Sequence, residues 1–383
     1  MQRALAAVLL AAASACGSAG QATGVVDASA GRDATDGPDG ASCAPPLTMC
    51  GDRCTNLAND PASCGACDHA CGCGSTTCTA GMCDAHVLAA QQSAPVALAF
   101  NADQLYWGND GDSTVMTMPA DGSVAARPLF TGRTAVRGFA FDAARVYFTR
   151  NVFNIVESAT QAGAGAGNFT NQQENGAAGI VTDGTNVFWA NGAATGVNPQ
   201  AIRRAANGAP VATPSTLASA QAGADAIALD ATSVYWTTSD PVNGAIRKVA
   251  KLGTGNAVVQ LIAKQARPHS LAVAGGFVYW ANQGDGTPRT GSINRMPITG
   301  GAPTTLAQRL GQPMALAVNA DAVFWTDAVD GTVSRVPLAG GAPPQVLVAG
   351  EAAPGGLALS PTCLYFADQA TSATGSIRAH DLR

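Results

Sequence analysis

An aromatic dipeptide returns at a nearly constant interval through most of this chain. It falls at Tyr106-Trp107, Tyr147-Phe148, Phe188-Trp189, Tyr235-Trp236, Tyr279-Trp280, Phe324-Trp325 and Tyr365-Phe366, at spacings of 41, 41, 47, 44, 45 and 41 residues. Each copy strings short apolar runs between turn residues, as in Met314 to Val318, Ala322 to Thr326, Gly331 to Pro337 and Pro344 to Val348. A unit of this size cannot bury its apolar face alone, and a four-strand repeat of about 40 to 45 residues is the period of a blade array. The spacing predicts an all-β fold, a seven-bladed β-propeller over residues 86 to 383.

Within each copy the first, inner strand carries a small residue before an apolar one: Ala97-Leu98, Gly138-Phe139, Gly179-Ile180, Ala226-Ile227, Ser270-Leu271, Ala315-Leu316 and Gly356-Leu357. Smallness there reads as packing where seven inner strands converge on one axis. The aromatic pair belongs to the second strand, where successive side chains point to opposite faces and fill the wedges toward both neighbouring blades. The seventh copy runs out after its third strand, Gly375 to Arg383, while His86 to Gln92 resembles outer strands such as Leu261 to Gln265. Residues 86 to 91 are therefore expected to complete the last blade and close the ring, which leaves no blade free to splay open.

The chain ahead of the repeats divides in three. Residues 1 to 15 hold Arg3 and an apolar run from Ala4 to Ala13, too short for a permanent membrane span and read as an export signal. Cleavage before Cys16 resembles the lipobox of bacterial lipoproteins, with Ala13 where that family usually has Leu; it implies lipidation of Cys16, with plain secretion as the alternative. Residues 16 to 42 are Gly, Ala, Ser, Thr and Asp with little to bury, so they read as a flexible, weakly acidic tether spanning about 25 to 30 Å. Residues 43 to 85 hold nine cysteines, a density that in an exported segment too small for its own core points to disulfides. The spacing Cys64-Gly-Ala-Cys67 also suits zinc or a redox pair. Zinc would leave most thiols idle, however, and no βαβ pattern surrounds the pair.

The run Cys50-Gly-Asp-Arg-Cys54-Thr-Asn-Leu, Asn59-Asp60-Pro61, Cys64-Gly65-Ala66-Cys67, Cys71, Cys78 and Cys83 resembles the cysteine-rich module of the stigma-specific secreted protein family. The resemblance covers about 40 residues and implies a small, extracytoplasmic, disulfide-bonded module without enzymatic activity. It matches Cys43, Cys50, Cys54, Cys64, Cys67, Cys71, Cys78 and Cys83 and leaves Cys73 as an insertion. Cys363 is the one cysteine of the propeller. In an up-down-up-down blade its strand starts at the same end as the closing strand at His86, two strand spacings or about 10 Å away. A Cys73 to Cys363 disulfide is therefore expected to pin the module to the closure blade.

Phe324-Trp325-Thr326-Asp327 looks like the Tyr-Trp-Thr-Asp repeat of lipoprotein-receptor propellers and of related bacterial exported propellers. The likeness extends over residues 86 to 383 and implies the fold, while seven copies depart from that group's six. The polar residues two positions beyond the dipeptide, Asn109, Asn191, Asn282, Asp327 and Asp368, are expected to cap strand-end amides. Third-strand arginines such as Arg204, Arg247, Arg295, Arg335 and Arg378 are expected to lay their stems along the blade with their heads in water.

A formal charge of −5 without any basic run excludes the electrostatic footprint of a nucleic-acid binder. His69, His86, His269 and His380 lie in no nucleophile-and-base pattern, and no metalloprotease, phosphate-loop or dinucleotide fingerprint is present. No cofactor is therefore expected. Calcium is the alternative, at Asp110 and Asp112 or at Asp327 and Asp330, where hairpin turns account for the same residues. All five Trp and all five Tyr belong to the dipeptides, which argues against sugar stacking on loops.

One step before the small inner-strand position most copies are neutral, but three carry Arg137, Asp225 and His269. They are expected to face one end of the channel. The function expected is that of an exported, membrane-anchored, monomeric interaction protein on an outer membrane or cell surface, or a secreted one. Its partner would be an extracellular or envelope protein or a small ligand, and its only membrane contact the N-terminal lipid. The alternative is an enzyme at the channel mouth, as in propellers resembling the streptogramin lyase or gluconolactonase families.

Overall fold

Seven antiparallel four-stranded sheets surround a central channel in the computed structural model, and six of them are built from strands that follow one another in the chain. The structure describes residues 43–170, 176–192, 200–208, 211–252, 257–369 and 374–383. The signal, the tether and the lipidation expected at Cys16 lie outside the described residues. Residues 44–383 form one compact unit, and among the described residues there is no helix.

Blade 1 comprises Pro95–Asn101, Gln104–Asn109, Thr114–Pro119 and Arg127–Thr131. Blades 2 to 6 repeat this order outward. The seventh has Pro354–Leu359, Cys363–Asp368 and Gly375–Asp381, and takes His86–Gln92 as its outer strand, with Gly375 opposite Gln92 and Ala379 opposite His86. Each inner strand touches the next and the seventh touches the first, so the ring is closed.

Local chemistry makes the hairpins. At the turn between first and second strands, Asp142, Asp183 and Asp230 each accept two backbone amides through Oδ1, from the residues two and three positions on. Such a side chain mimics a backbone turn and so sets the register of the pair. The second strand then buries its dipeptide: Trp107, Trp189, Trp236 and Trp280 have no exposed surface and Trp325 almost none. The rings pack into the wedges on both sides of the blade, as alternation requires.

The polar residue that follows the dipeptide divides by chemistry. Asp327 accepts the amides of Gly311, Gln312, Val329 and Asp330, and Asp368 those of Ala352 and Ala353, so both cap backbone as expected. Asn109 and Asn282 do something else. Each donates Nδ2 to the side-chain oxygen of a glutamine on the outer strand just before its own blade, Gln92 and Gln265, which also accepts the indole N–H of Trp107 or Trp280. A carboxylate can only accept and turns to amides, whereas an asparagine amide can donate and turns to the glutamine. The third-strand arginines also differ from expectation. Arg204 donates to the carbonyl of Lys251 and Arg295 to that of Leu338, both beyond the blade, and Arg378 pairs with Glu351 at 2.5 Å. Their heads stitch the assembly together and are not left to water.

Disulfides join Cys50 to Cys67, Cys64 to Cys78 and Cys71 to Cys83, and Cys43 and Cys54 are also disulfide-bonded. Cys73 is bonded to Cys363, 290 residues away, with the α-carbons 5.9 Å apart. The sulfurs of Cys64, Cys71 and Cys83 lie close together but are oxidised, so they supply no thiolate for zinc. The module also grips blade 7 by hydrogen bonds: Gly72 N donates to Asp381 and Arg378 to the carbonyl of Ala85.

Candidate ligand site at the channel mouth

All seven inner strands break register at the same place. The pairing skips between Pro95 and Leu98, Val136 and Gly138, Ala177 and Ile180, Ala224 and Ile227, Pro268 and Ser270, Pro313 and Leu316, and Pro354 and Leu357. An extra residue in one strand of an antiparallel pair bends it and re-aims the side chains there. The skipped positions include Arg137, Asp225 and His269. The bulges therefore lie where each inner strand begins, at one mouth of the channel.

Threonines of the second strand support several bulges. Thr237 accepts the amide of Ala226, and Thr326 accepts that of Ala315 while donating to the carbonyl of Gly355 in the next blade. Thr149 donates to the carbonyl of Ala178, again one blade on. All three are fully buried, so these hydroxyls satisfy backbone groups that the broken ladder leaves open. The small residue has an equally local cause. A Cβ on Gly179 would come within 2.7 Å of the Asp225 carbonyl oxygen, and one on Gly356 within 2.6 Å of that of Val96. Smallness at those positions lets the bulged backbone of the next blade approach.

The mouth opens on a cavity of about 510 Å³ lined by Arg137, Asp225, His269, Ser270, Met314 and Gln369, with apolar inner-strand residues below. His269 Nδ1 lies 2.6 Å from Asp225 Oδ2, and both side chains are about a third exposed. Burial pulls the imidazole pKa down, but the hydrogen bond and the charge of Asp225 outweigh it and hold the group above its ordinary 6.5. Because Nδ1 is engaged, Nε2 is the ring atom left for a ligand. Arg137 points its Nη1 to Asp110 Oδ2 at 2.9 Å, while Asp110 Oδ1 accepts the amide of Ala135. The three residues singled out from the sequence thus line one cavity, and two of them touch. Asp110, which the sequence suggests only for a hairpin turn or calcium, is not part of the cavity lining and reaches it through Arg137.

The other carboxylates considered for calcium are also engaged. Asp112 accepts the amide and hydroxyl of Thr114, Asp327 holds its backbone amides, and Asp330 pairs with Arg289. None belongs to a cluster of three or more metal-ligating side chains among the described residues. At the far end of the channel Phe139, Phe141, Val181, Leu229 and Val273, with Asn101 and Thr182, line a recess of about 500 Å³. Charged and imidazole side chains line the mouth and none lines this recess among the described residues.

No family model matches the sequence, and no curated protein matches it either. Solved structures match it in fold. A streptogramin B lyase has a TM-score of 0.61 at 14% identity, covering 78% of this chain and 97% of its own. The catalytically inactive histidine-to-alanine variant of virginiamycin B lyase from Staphylococcus aureus, solved with quinupristin, has a TM-score of 0.62 at 14% identity and covers 78% and 99%. A gluconolactonase from Xanthomonas campestris has a TM-score of 0.50 at 13% identity and covers 67% and 90%. At such identities the likeness shows the propeller fold alone.

Proposed function

We propose that this protein is an exported, membrane-anchored binding protein whose ligand site is the polar mouth of the propeller channel. The observation that carries the reading is the cavity of about 510 Å³ in which Arg137, Asp225 and His269 converge over apolar walls. A few polar groups set in a mostly apolar concavity of this size are what a small-molecule site requires. The disulfides support an extracytoplasmic location, since such bonds persist in oxidising compartments. The ligand class that fits is a small polar molecule with an acceptor or acidic group for His269 Nε2 and an apolar body for the inner-strand side chains. Calorimetric titration of the intact protein with compounds that stabilise it in a thermal-shift screen tests this. Saturable binding that weakens at least tenfold in His269→Ala is expected. Ligands that bind the His269→Ala and Arg137→Ala variants as well as the parent would place the site elsewhere.

One observation favours a second reading, an enzyme of the lyase or lactonase kind. The His269–Asp225 contact at 2.6 Å is the arrangement by which a carboxylate orients an imidazole for proton transfer. Incubation with quinupristin and with an aldonolactone, followed by chromatography of the ring-opened products, separates the two. Ring opening lost in His269→Ala supports the enzyme. Intact rings in both incubations, together with saturable binding at the mouth, leave the binding protein.

A further inference from the structure

A second polar cavity, of about 190 Å³, lies where the cysteine-rich module meets blades 6 and 7. The module contributes His69 and Gly81 to Cys83, blade 6 contributes Arg335, Gln345 and Leu347, and the end of blade 7 contributes His380 to Arg383. Two imidazole nitrogens there, His69 Nε2 and His380 Nδ1, are buried with no hydrogen-bond partner among the described residues. His380 is only 4% exposed. A buried polar atom left unpaired costs on the order of 1 to 3 kcal/mol, so two in one cavity point to a ligand or to water.

The groups with hydrogen-bonding capacity still open are Arg335 and the two imidazoles. Asp381 is the one carboxylate side chain lining the cavity, and both its oxygens are occupied, by Gly72 N and by the backbone N, Nε and Nη2 of Arg383. Cys83 is bonded to Cys71 and offers no thiolate, so the grouping of His69, Cys83 and Asp381 does not make a cation site. Gln345 turns its oxygen to Arg335 Nε and its amide nitrogen toward the sulfur of Met82. Arg335 makes no ion pair among the described residues, which leaves its remaining guanidinium hydrogens for the cavity. Neutral imidazoles can carry their proton on the orphaned nitrogen and donate as well.

We propose that this seam is a binding site for a small tetrahedral oxyanion, inorganic phosphate or sulfate, held by Arg335, His69 and His380. The anion would receive hydrogen bonds from the module on one side and from two blades on the other. It would act as a second, reversible clamp beside the Cys73–Cys363 bond. Arginine suits this role because its planar fork matches the spacing of two oxyanion oxygens.

The test uses the intact protein in inorganic phosphate against chloride, at matched pH and ionic strength. A saturable rise in Tm of about 3 to 4 °C is expected at a hundredfold excess over Kd. The rise should vanish in Arg335→Met and shrink in His69→Ala. In imidazole nitrogen NMR of the parent, the signals of His69 and His380 should move together on adding phosphate while that of His269 stays. No saturable rise, a rise unchanged in both variants, or stationary His69 and His380 signals would overturn the proposal. If Arg335→Met does not fold, the NMR titration of the parent decides alone.

Discussion

The imidazole of His269 and the carboxylate of Asp225 meet at 2.6 Å although they stand on the inner strands of different blades, Pro268–Ala274 and Ala224–Leu229. The contact exists because both strands bulge at the same level, so it reports the alignment of blades 4 and 5. It also sets a titration. The folded pKa of His269 lies above 6.5, so the stabilisation is fully present below pH 6.5 and is lost as pH rises through the folded value. Asp225→Asn should drop the His269 pKa below 6.5, because burial then acts unopposed. The stability gap between parent and variant should close as the solution becomes alkaline. Imidazole NMR titration checks the first and denaturant unfolding across pH the second; an unchanged pKa would refute the pairing.

Gly179→Ala should disturb the same pair from a distance. Its Cβ would press on the Asp225 carbonyl oxygen at 2.7 Å and push the bulge of blade 4 outward. Overpacking of this kind costs about 1 to 3 kcal/mol. The variant is expected to lose that much in denaturant unfolding and to show His269 moving toward its ordinary pKa. A variant as stable as the parent would mean that the inner strands slide apart freely.

Gln92→Leu should cost about 2 to 3 kcal/mol, since it removes the acceptor shared by Trp107 Nε1 and Asn109 Nδ2 and leaves two buried donors unpaired. The closing blade should loosen first. Hydrogen exchange is expected to speed up in His86–Gln92 and Gly375–Asp381 before the other blades. Uniform acceleration around the ring would show that the latch does not act locally.

The blades could be read from the sequence because each carries its own signal: the buried dipeptide marks the second strand, and alternation and turn residues mark the others. Cys73 and Cys363 could be related because topology alone brings the two strand starts together. Arg137, Asp225 and His269 could be aligned by counting back from the small residue of each copy. The bulges that turn these side chains to the channel could not, for they depend on how neighbouring inner strands pack. The glutamine latch left a faint trace, a Gln 15 residues before the Trp at Gln92 and Trp107, Gln221 and Trp236, and Gln265 and Trp280. The seam cavity left none, since one of its walls comes from the module, which no repeat relates to the blades.

Replacing both Cys73 and Cys363 by Ala should lower stability by about 3 to 5 kcal/mol, because the bond closes a loop of 290 residues. For a unit of this size that is a fall in Tm of about 4 to 7 °C. Limited proteolysis should then release the module, cut between Cys83 and His86 beyond the last of its own disulfides, from a propeller that stays intact. An unchanged Tm in non-reducing conditions would show that hydrogen bonds such as Gly72 to Asp381 hold the module unaided.

The pairing of His86–Gln92 with Gly375–Asp381 orders events in time as well as space. Synthesis runs from the N-terminus, so the strand that completes the last blade is made before any other strand of the propeller and must wait for its partner until Gly375–Asp381 emerges. Throughout that interval its backbone donors and acceptors are open to any passing edge. Six blades can form as they are made; the seventh converts a linear array into a ring in a single late step, and every nascent chain is exposed to mispairing until it does.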